Sequence, residues 1–261
     1  MIRRILLDRP PLNVLDIPAS RRLEAQLKAA GRDRPVRVVV LSGKGKCFSA
    51  GVDIRDHTKA RVKAMLMAFH GAVRALEALE KPVIAHVHGH CLGGGMELAM
   101  ACDFIVADRK AVFGLPEISL GCYPPVAAVR LAGIVGRQRA NEAILLGGTF
   151  SATEAKAMGL VHSYRLEPVL ERLLSLSGSA LACAKAAMRA KSLAESERIY
   201  LARLMKTRDM EEGVRAFLEK RKPVWEHGQE TRRLLSIPGM RESVQEGLRT
   251  PVKRCRTKLH W

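Results

Sequence analysis

Two segments, Ser49-Ala50-Gly51-Val52-Asp53 and Leu92-Gly93-Gly94-Gly95-Met96-Glu97, each read as a strand end turning into a helix. A chain that makes this turn twice is expected to stack strands and helices in layers, and each turn would leave a backbone N–H exposed. Two such N–H groups aimed at one point form a cradle for negative charge growing on a carbonyl oxygen. The pairing of the turns points to chemistry more strongly than any single reactive side chain.

The surrounding sequence fits a layered α/β core. Arg37-Val38-Val39-Val40-Leu41-Ser42 is a β-branched run bounded by Pro35 and Gly43, which predicts a buried strand. Pro82–Gly89 and Asp103–Ala107 read as two more. Between the first two, Val62, Met65, Leu66, Phe69, Val73, Leu76 and Leu79 recur at three- and four-residue steps and predict a helix. An earlier helix is expected from Ser20 to Ala30, with Leu23 and Leu27 inward and Ser20 as its cap. After residue 125 the pattern turns helical: 126–133, 139–146, 151–158 with the capping box Ser151-x-x-Glu154, 166–176, 179–194 and 196–221.

Composition narrows the function classes. The hydrophobic fraction of 48% suits a globular fold, and no apolar run approaches the roughly 18 residues of a membrane span. The apolar run near the N-terminus is too short for a secretory signal, so a cytoplasmic location and no membrane partner are expected. Six cysteines, at 47, 91, 102, 122, 183 and 255, form no Cys-x-x-Cys pair and argue for a reducing compartment. The net charge is +18, and residues 228–261 carry eight Arg/Lys against three Glu. That segment reads as a basic, poorly ordered tail, with a short helix at 240–249. A basic surface attracts polyanions, whether nucleic acid or the phosphates of a coenzyme.

Two carboxylates stand out. Glu97 would lie one turn inside a helix that is apolar nearly all round, where a carboxylate is costly without a reason. The plainer reading is that it satisfies a helix N-terminus. Glu117 follows Pro116, which would aim it reproducibly. Two carboxylates beside an oxyanion cradle can share acid and base work. His86, His88 and His90 alternate, but Gly89 interrupts them and no further ligand completes a metal set, so no metal is expected. Gly43-Lys44-Gly45-Lys46 lacks the phosphate-loop spacing, and neither a dinucleotide fingerprint nor a Gly-x-Ser-x-Gly elbow is present.

These motifs together resemble the crotonases, the enoyl-CoA hydratase/isomerase superfamily. The matching pieces are Pro11-Leu12-Asn13-Val14-Leu15, Cys47–Asp53, Leu92–Leu98, Cys102-Asp103, Phe113–Ile118, Ala155-x-x-x-Gly159-Leu160-Val161 and Phe217–Pro223. They run in the family's order through about residue 227. The resemblance implies a ClpP/crotonase-like ββα spiral over residues 1–165, a C-terminal helical trimerisation region over 166–227, and a homotrimer or hexamer. It implies an acyl-CoA thioester substrate, with coenzyme A as part of the substrate and no separate cofactor. The thioester oxygen would sit between the N–H groups of Ala50 and Gly94. Glu97 would help deprotonate a water and Glu117 would supply a proton to the α-carbon; isomerases of the family often lack one of the two. Leu12, Ser49, Asp53, Ile54, Leu92, Gly93, Pro116, Leu120 and Tyr123 would border the substrate.

One departure bears on the acyl group. Where family members acting on linear chains carry a glycine-rich stretch, this chain has Gly121-Cys122-Tyr123-Pro124-Pro125. That loop and Pro10–Ile17 are similar to the cyclohexa-1,5-diene-1-carbonyl-CoA hydratases of anaerobic aromatic breakdown. The expectation is therefore an enoyl-CoA hydratase, with a cyclic dienoyl thioester among its candidate substrates. An isomerase or thioester hydrolase would use the same cradle. A different class, RNA binding on this scaffold through Arg21, Arg22, Lys28, Arg32 and Arg34, stays open, with the complete glutamate pair against it.

Overall fold

The computed structural model describes residues 1–226. The basic tail, with its expected helix at 240–249, lies outside the described residues. The chain begins with β1 (Ile2–Leu7), α1 (Ile17–Arg32), β2 (Val38–Gly43) and α2 (Val62–Ala78). It continues through β3 (Val83–Val87), β4 (His90–Leu92), α3 (Gly94–Met100), β5 (Phe104–Ala107), β6 (Val112–Gly114) and α4 (Pro125–Val135). Strands β1-β2-β3-β5 form one parallel sheet in that order. Strand β4 pairs in parallel with β6 in a second sheet, and β6 pairs antiparallel with β7 (Thr149–Ser151).

A repeated step generates this arrangement. Each turn of the chain places one strand in the first sheet, crosses to the second, and returns by a helix: β3-β4-α3, then β5-β6-α4. The turn before them is β2, then Ser49, which bridges in parallel to Cys91 of β4, then α2. The expected ββα spiral is this succession. Its first sheet is covered on both faces, which is why β2 reads as an unbroken apolar run. Side chains alternate across a strand. Val39 and Leu41 join the main core with Leu23 and Leu27 of α1 and Phe69 and Leu76 of α2. Val38 and Val40 pack with Ile84 and Val106 against Leu166, Leu170 and Leu173 of α7 (Leu166–Ser175).

Several sequence expectations shift. Helix α1 starts at Ile17, not Ser20: Asp16 is its cap, accepting from the Ala19 amide at 2.8 Å, with Pro18 in the first turn where no amide donor is needed. Ser20 is buried inside the helix. The stretch 139–146 begins in α5 (Arg137–Asn141) and ends in a π turn, Glu142–Leu146. Helix α6 (Ala152–Ala157) carries the expected Ser151–Glu154 capping box. The two long C-terminal helices become three, α8 (Gly178–Ala187), α9 (Leu193–Ala202) and α10 (Arg208–Leu218), because Ser192 and Thr207 cap new starts. Buried Asp209 ties α10 to the start of α8 and to the chain beyond α10, accepting from Ser177 Oγ at 2.6 Å and from the Glu226 amide at 2.7 Å. Among the described residues no helix is long and apolar enough to cross a membrane.

The cap assignment is testable by urea unfolding. Asp16→Ala is expected to cost about 1 kcal/mol, and Ser20→Ala less than about half of that. Equal losses, or a larger loss at Ser20, would return the cap to Ser20.

Candidate active site

The first glycine turn is fixed from beneath by Asn13. Its Nδ2 donates to the carbonyls of Lys44, Cys47 and Phe48 at 2.9, 2.8 and 3.3 Å, and its own carbonyl accepts from Ser49 Oγ at 2.8 Å. Ser49 Oγ in turn accepts from the Gly51 amide at 3.1 Å. At the far end of the turn Asp53 takes Arg55 at 2.7 Å and Arg9 at 3.2 Å, and these guanidinium hydrogen bonds hold its carboxyl well below the usual carboxylate range. The Ser49 amide donates to His90 O at 3.1 Å and the Leu92 amide to Ser49 O at 3.0 Å. This parallel register, Ser49 beside Cys91, carried three residues onward sets Val52 beside Gly94.

The amides of the first turn are nearly all engaged. Ala50 N–H donates to Leu12 O at 2.9 Å, so it is not free to hold a ligand oxygen, contrary to the sequence expectation. Gly51 N–H serves Ser49 Oγ, and Asp53 N–H donates to Leu15 O at 2.9 Å. Val52 N–H has no acceptor among the described residues. The second turn matches it. Gly93, at φ +51 and ψ −128, adopts a backbone open to glycine and donates to Gly114 O at 2.9 Å. Gly94 then opens α3 with an N–H that no residue within the helix can accept. A Cβ on Gly94 would lie 2.6 Å from Val52 Cγ2 and 3.1 Å from Phe69 Cζ, so the turns touch. The free pair is therefore Val52 and Gly94. The sequence signal for Val52 was present in the motif; the Leu12 carbonyl that occupies Ala50 was not readable from it.

Both expected glutamates face the same cavity. Glu97 is 3% exposed, and its Oε1 accepts from the Val126 and Ala127 amides at 2.7 and 3.0 Å. It thus caps the N-terminus of α4, a helix other than its own, while the other oxygen has no hydrogen-bond partner among the described residues. Burial, with the charge of Glu117 added, raises its pKa to about 7 against the pull of those amides. Burial also raises Glu117, whose Oε2 is buried without a hydrogen-bond partner among the described residues and whose Oε1 lies 2.8 Å from where a Gly93 Cβ would sit.

The cavity, about 90 Å³, brings together Ala50, Ile54, Gly93, Gly94, Glu97, Pro116, Glu117, Leu120 and Tyr123 of the residues expected from sequence. Leu12, Ser49, Asp53 and Leu92 do not line it: Leu12 and Ser49 brace the first turn, Asp53 anchors its end, and Leu92 pairs the two turns. Pro124 and Pro125, expected to reshape the acyl pocket, line it with Cys122; sequence reading missed Gly51, Val52, His57 and His70 as lining residues, and took Met65, Leu66 and Phe69 of α2 only as the apolar stripe of a helix. Among the described residues no three His, Cys, Asp or Glu side chains are placed to hold a metal ion.

Fold and site together define a protein with two carboxylates set against a pair of free amides in a ββα spiral. The enoyl-CoA hydratase/isomerase family model matches residues 1–229, and the chain belongs to that family. It is 40% identical over 240 residues to "Probable enoyl-CoA hydratase" of Rhizobium meliloti, covering 85% of this chain and 93% of that one. It is 32% identical over 238 residues to the cyclohexa-1,5-dienecarbonyl-CoA hydratase of Thauera aromatica, covering 86% and 92%. The solved enoyl-CoA hydratase of Bacillus anthracis superposes with a TM-score of 0.79 at 31% identity, covering 87% of this chain and 95% of that structure.

The buried, raised Glu97 makes a stability statement. A carboxyl with pKa near 4.5 unfolded and about 7 folded binds more protons in the native state between those values, so stability falls as pH rises through that window. Glu97→Gln should therefore raise Tm relative to wild type at pH 8, by up to roughly 3 kcal/mol of stability, and by much less at pH 4.5. A Tm difference independent of pH, or one that favours wild type more at pH 8, would contradict the raised pKa.

Proposed function

We propose that this enzyme adds water across the α,β double bond of an acyl-CoA thioester. The observation that carries the reading is the shared cavity: two carboxyls with pKa values raised by burial beside two backbone donors with no acceptor among the described residues. The thioester oxygen would accept from Val52 and Gly94. As water attacks the β-carbon, the π electrons shift toward that oxygen and an enolate forms. Each donor aimed at it is worth about 2.7–4 kcal/mol. Glu97, held by the α4 amides through one oxygen, takes the water's proton with the other. Glu117 delivers a proton to the α-carbon, so hydroxyl and hydrogen are added and the enolate collapses to the thioester. Two carboxyls raised toward neutrality allow one to be ionised while its neighbour is protonated, the state this division of labour needs.

The acyl group is read from the wall opposite. Tyr123, Pro124 and Pro125 replace small residues there with rigid bulk, and Pro125 opens the helix whose amides hold Glu97. That loop, with the likeness to the Thauera hydratase, supports a cyclic dienoyl thioester as one substrate. The exposed Val129, Met188, Phe217 and Leu218 suit the trimeric assembly expected of the family.

Hydration abolishes the absorbance of a conjugated enoyl thioester, whereas isomerisation of a 3-enoyl substrate creates it. Glu97→Gln and Glu117→Gln are each expected to lower hydration at least 100-fold, within the range of acid–base catalysis, while acyl-CoA binding changes only a few-fold. Near-normal turnover in either variant, or isomerisation without hydration in wild type, would overturn the proposal.

A further inference from the structure

His70 stands on α2 immediately after Phe69, the residue whose ring abuts the Gly94 turn. It lines the same cavity as the glutamates, on the wall it shares with Met65, Leu66 and Phe69, side chains that carry no hydrogen-bond donor. Its Nε2 is buried and has no hydrogen-bond partner among the described residues. Its ring packs against that of Phe69, tilted at 55° with centroids 5.9 Å apart. Burial, reinforced by the charge of Arg74 one turn on, lowers its pKa, so the ring is neutral at neutral pH and offers one donor and one acceptor nitrogen.

A histidine retained for packing normally finds a protein partner for at least one nitrogen, because an unpaired polar group in an apolar wall opposes folding. Among the described residues Nε2 has none, and the proposed reaction assigns no proton transfer to this ring. We infer that His70 is a specificity-determining residue that hydrogen-bonds an oxygen on the acyl group, beyond the reacting double bond. The enzyme then favours hydroxylated or keto acyl thioesters over plain hydrocarbon ones of the same length. The inference rests on the reading that an acyl-CoA occupies this cavity, and it names the class of acyl group that the cavity selects. A site that offers a hydrogen bond discriminates against the analogue lacking the oxygen, because its own polar atom is then left without a partner.

The test is calorimetric binding of saturated thioesters, which cannot be hydrated. The probes are matched pairs: butanoyl- and 4-hydroxybutanoyl-CoA, hexanoyl- and 6-hydroxyhexanoyl-CoA, and cyclohexanecarbonyl-CoA with its ring-hydroxylated counterparts. Wild type is expected to bind the hydroxylated member of at least one pair about tenfold more tightly, as one hydrogen bond allows. That ratio should fall to near one in His70→Leu and remain above one in His70→Gln, which keeps a donor and an acceptor. Equal affinities across every pair in wild type, or a preference that survives in His70→Leu, would overturn the inference. A wild-type ratio near one overturns the inference whether or not a variant folds, and His70→Gln gives a second variant in which the preference can be read. Because no turnover is read, loss of the hydratase reading through the glutamate variants and loss of this one are separate results.

Discussion

The parallel pairing of Ser49 with Cys91 governs everything at this site. One hydrogen bond runs from each strand to the other, Ser49 to His90 and Leu92 to Ser49, and they fix the register between two turns that are far apart in sequence. A one-residue slip would move Val52 away from Gly94 and turn the side chains to opposite faces. The turns are held from outside as well. Asn13 gathers three carbonyls below the first, and Arg9 and Arg55 hold Asp53 at its end. Glycine at 94 permits the contact itself, since a side chain there would occupy the space of Val52 Cγ2. The free amides are therefore properties of the sheet register and not of either loop alone.

In Glu97 a structural role and the proposed chemical one fall on a single side chain. One carboxylate oxygen caps α4 and so ties the Tyr123-Pro124-Pro125 wall to α3, while the other is left to the cavity. The capping amides favour the charged form and burial with Glu117 opposes it; burial wins, leaving the group near neutrality. A proton can then be held or released at ordinary pH, which a solvated carboxylate with a pKa near 4 would not do. The helix cap thus sets both the position of the acid and, in part, its readiness.

Much of the fold was legible because buried parallel strands and amphipathic helices leave strong patterns. The Val38–Leu41 run, the α2 periodicity and the Ser151–Glu154 box all appear where they were read. The short strands β4, β6 and β7, of three residues each, carry too little pattern to be seen alone. The breaks at Ser192 and Thr207 were lost because an amphipathic rhythm runs through them, and the caps outweigh it only in the folded chain. At the site, Glu97, Glu117 and Gly94 were visible from their motifs. Val52 was not preferred over Ala50, because the deciding partner, Leu12 O, is brought near only by tertiary contact. His70 was hidden for a similar reason: it falls beside the helix stripe read as core, and only the cavity distinguishes the two.

Catalysis as proposed depends on where a thioester oxygen rests. A crystal structure with a saturated acyl-CoA bound tests it directly. That oxygen is expected within about 3 Å of both the Val52 and Gly94 nitrogens, with Ala50 N–H still on Leu12 O. An oxygen that rests elsewhere, or that draws its donor from Ala50 in place of Val52, would contradict it.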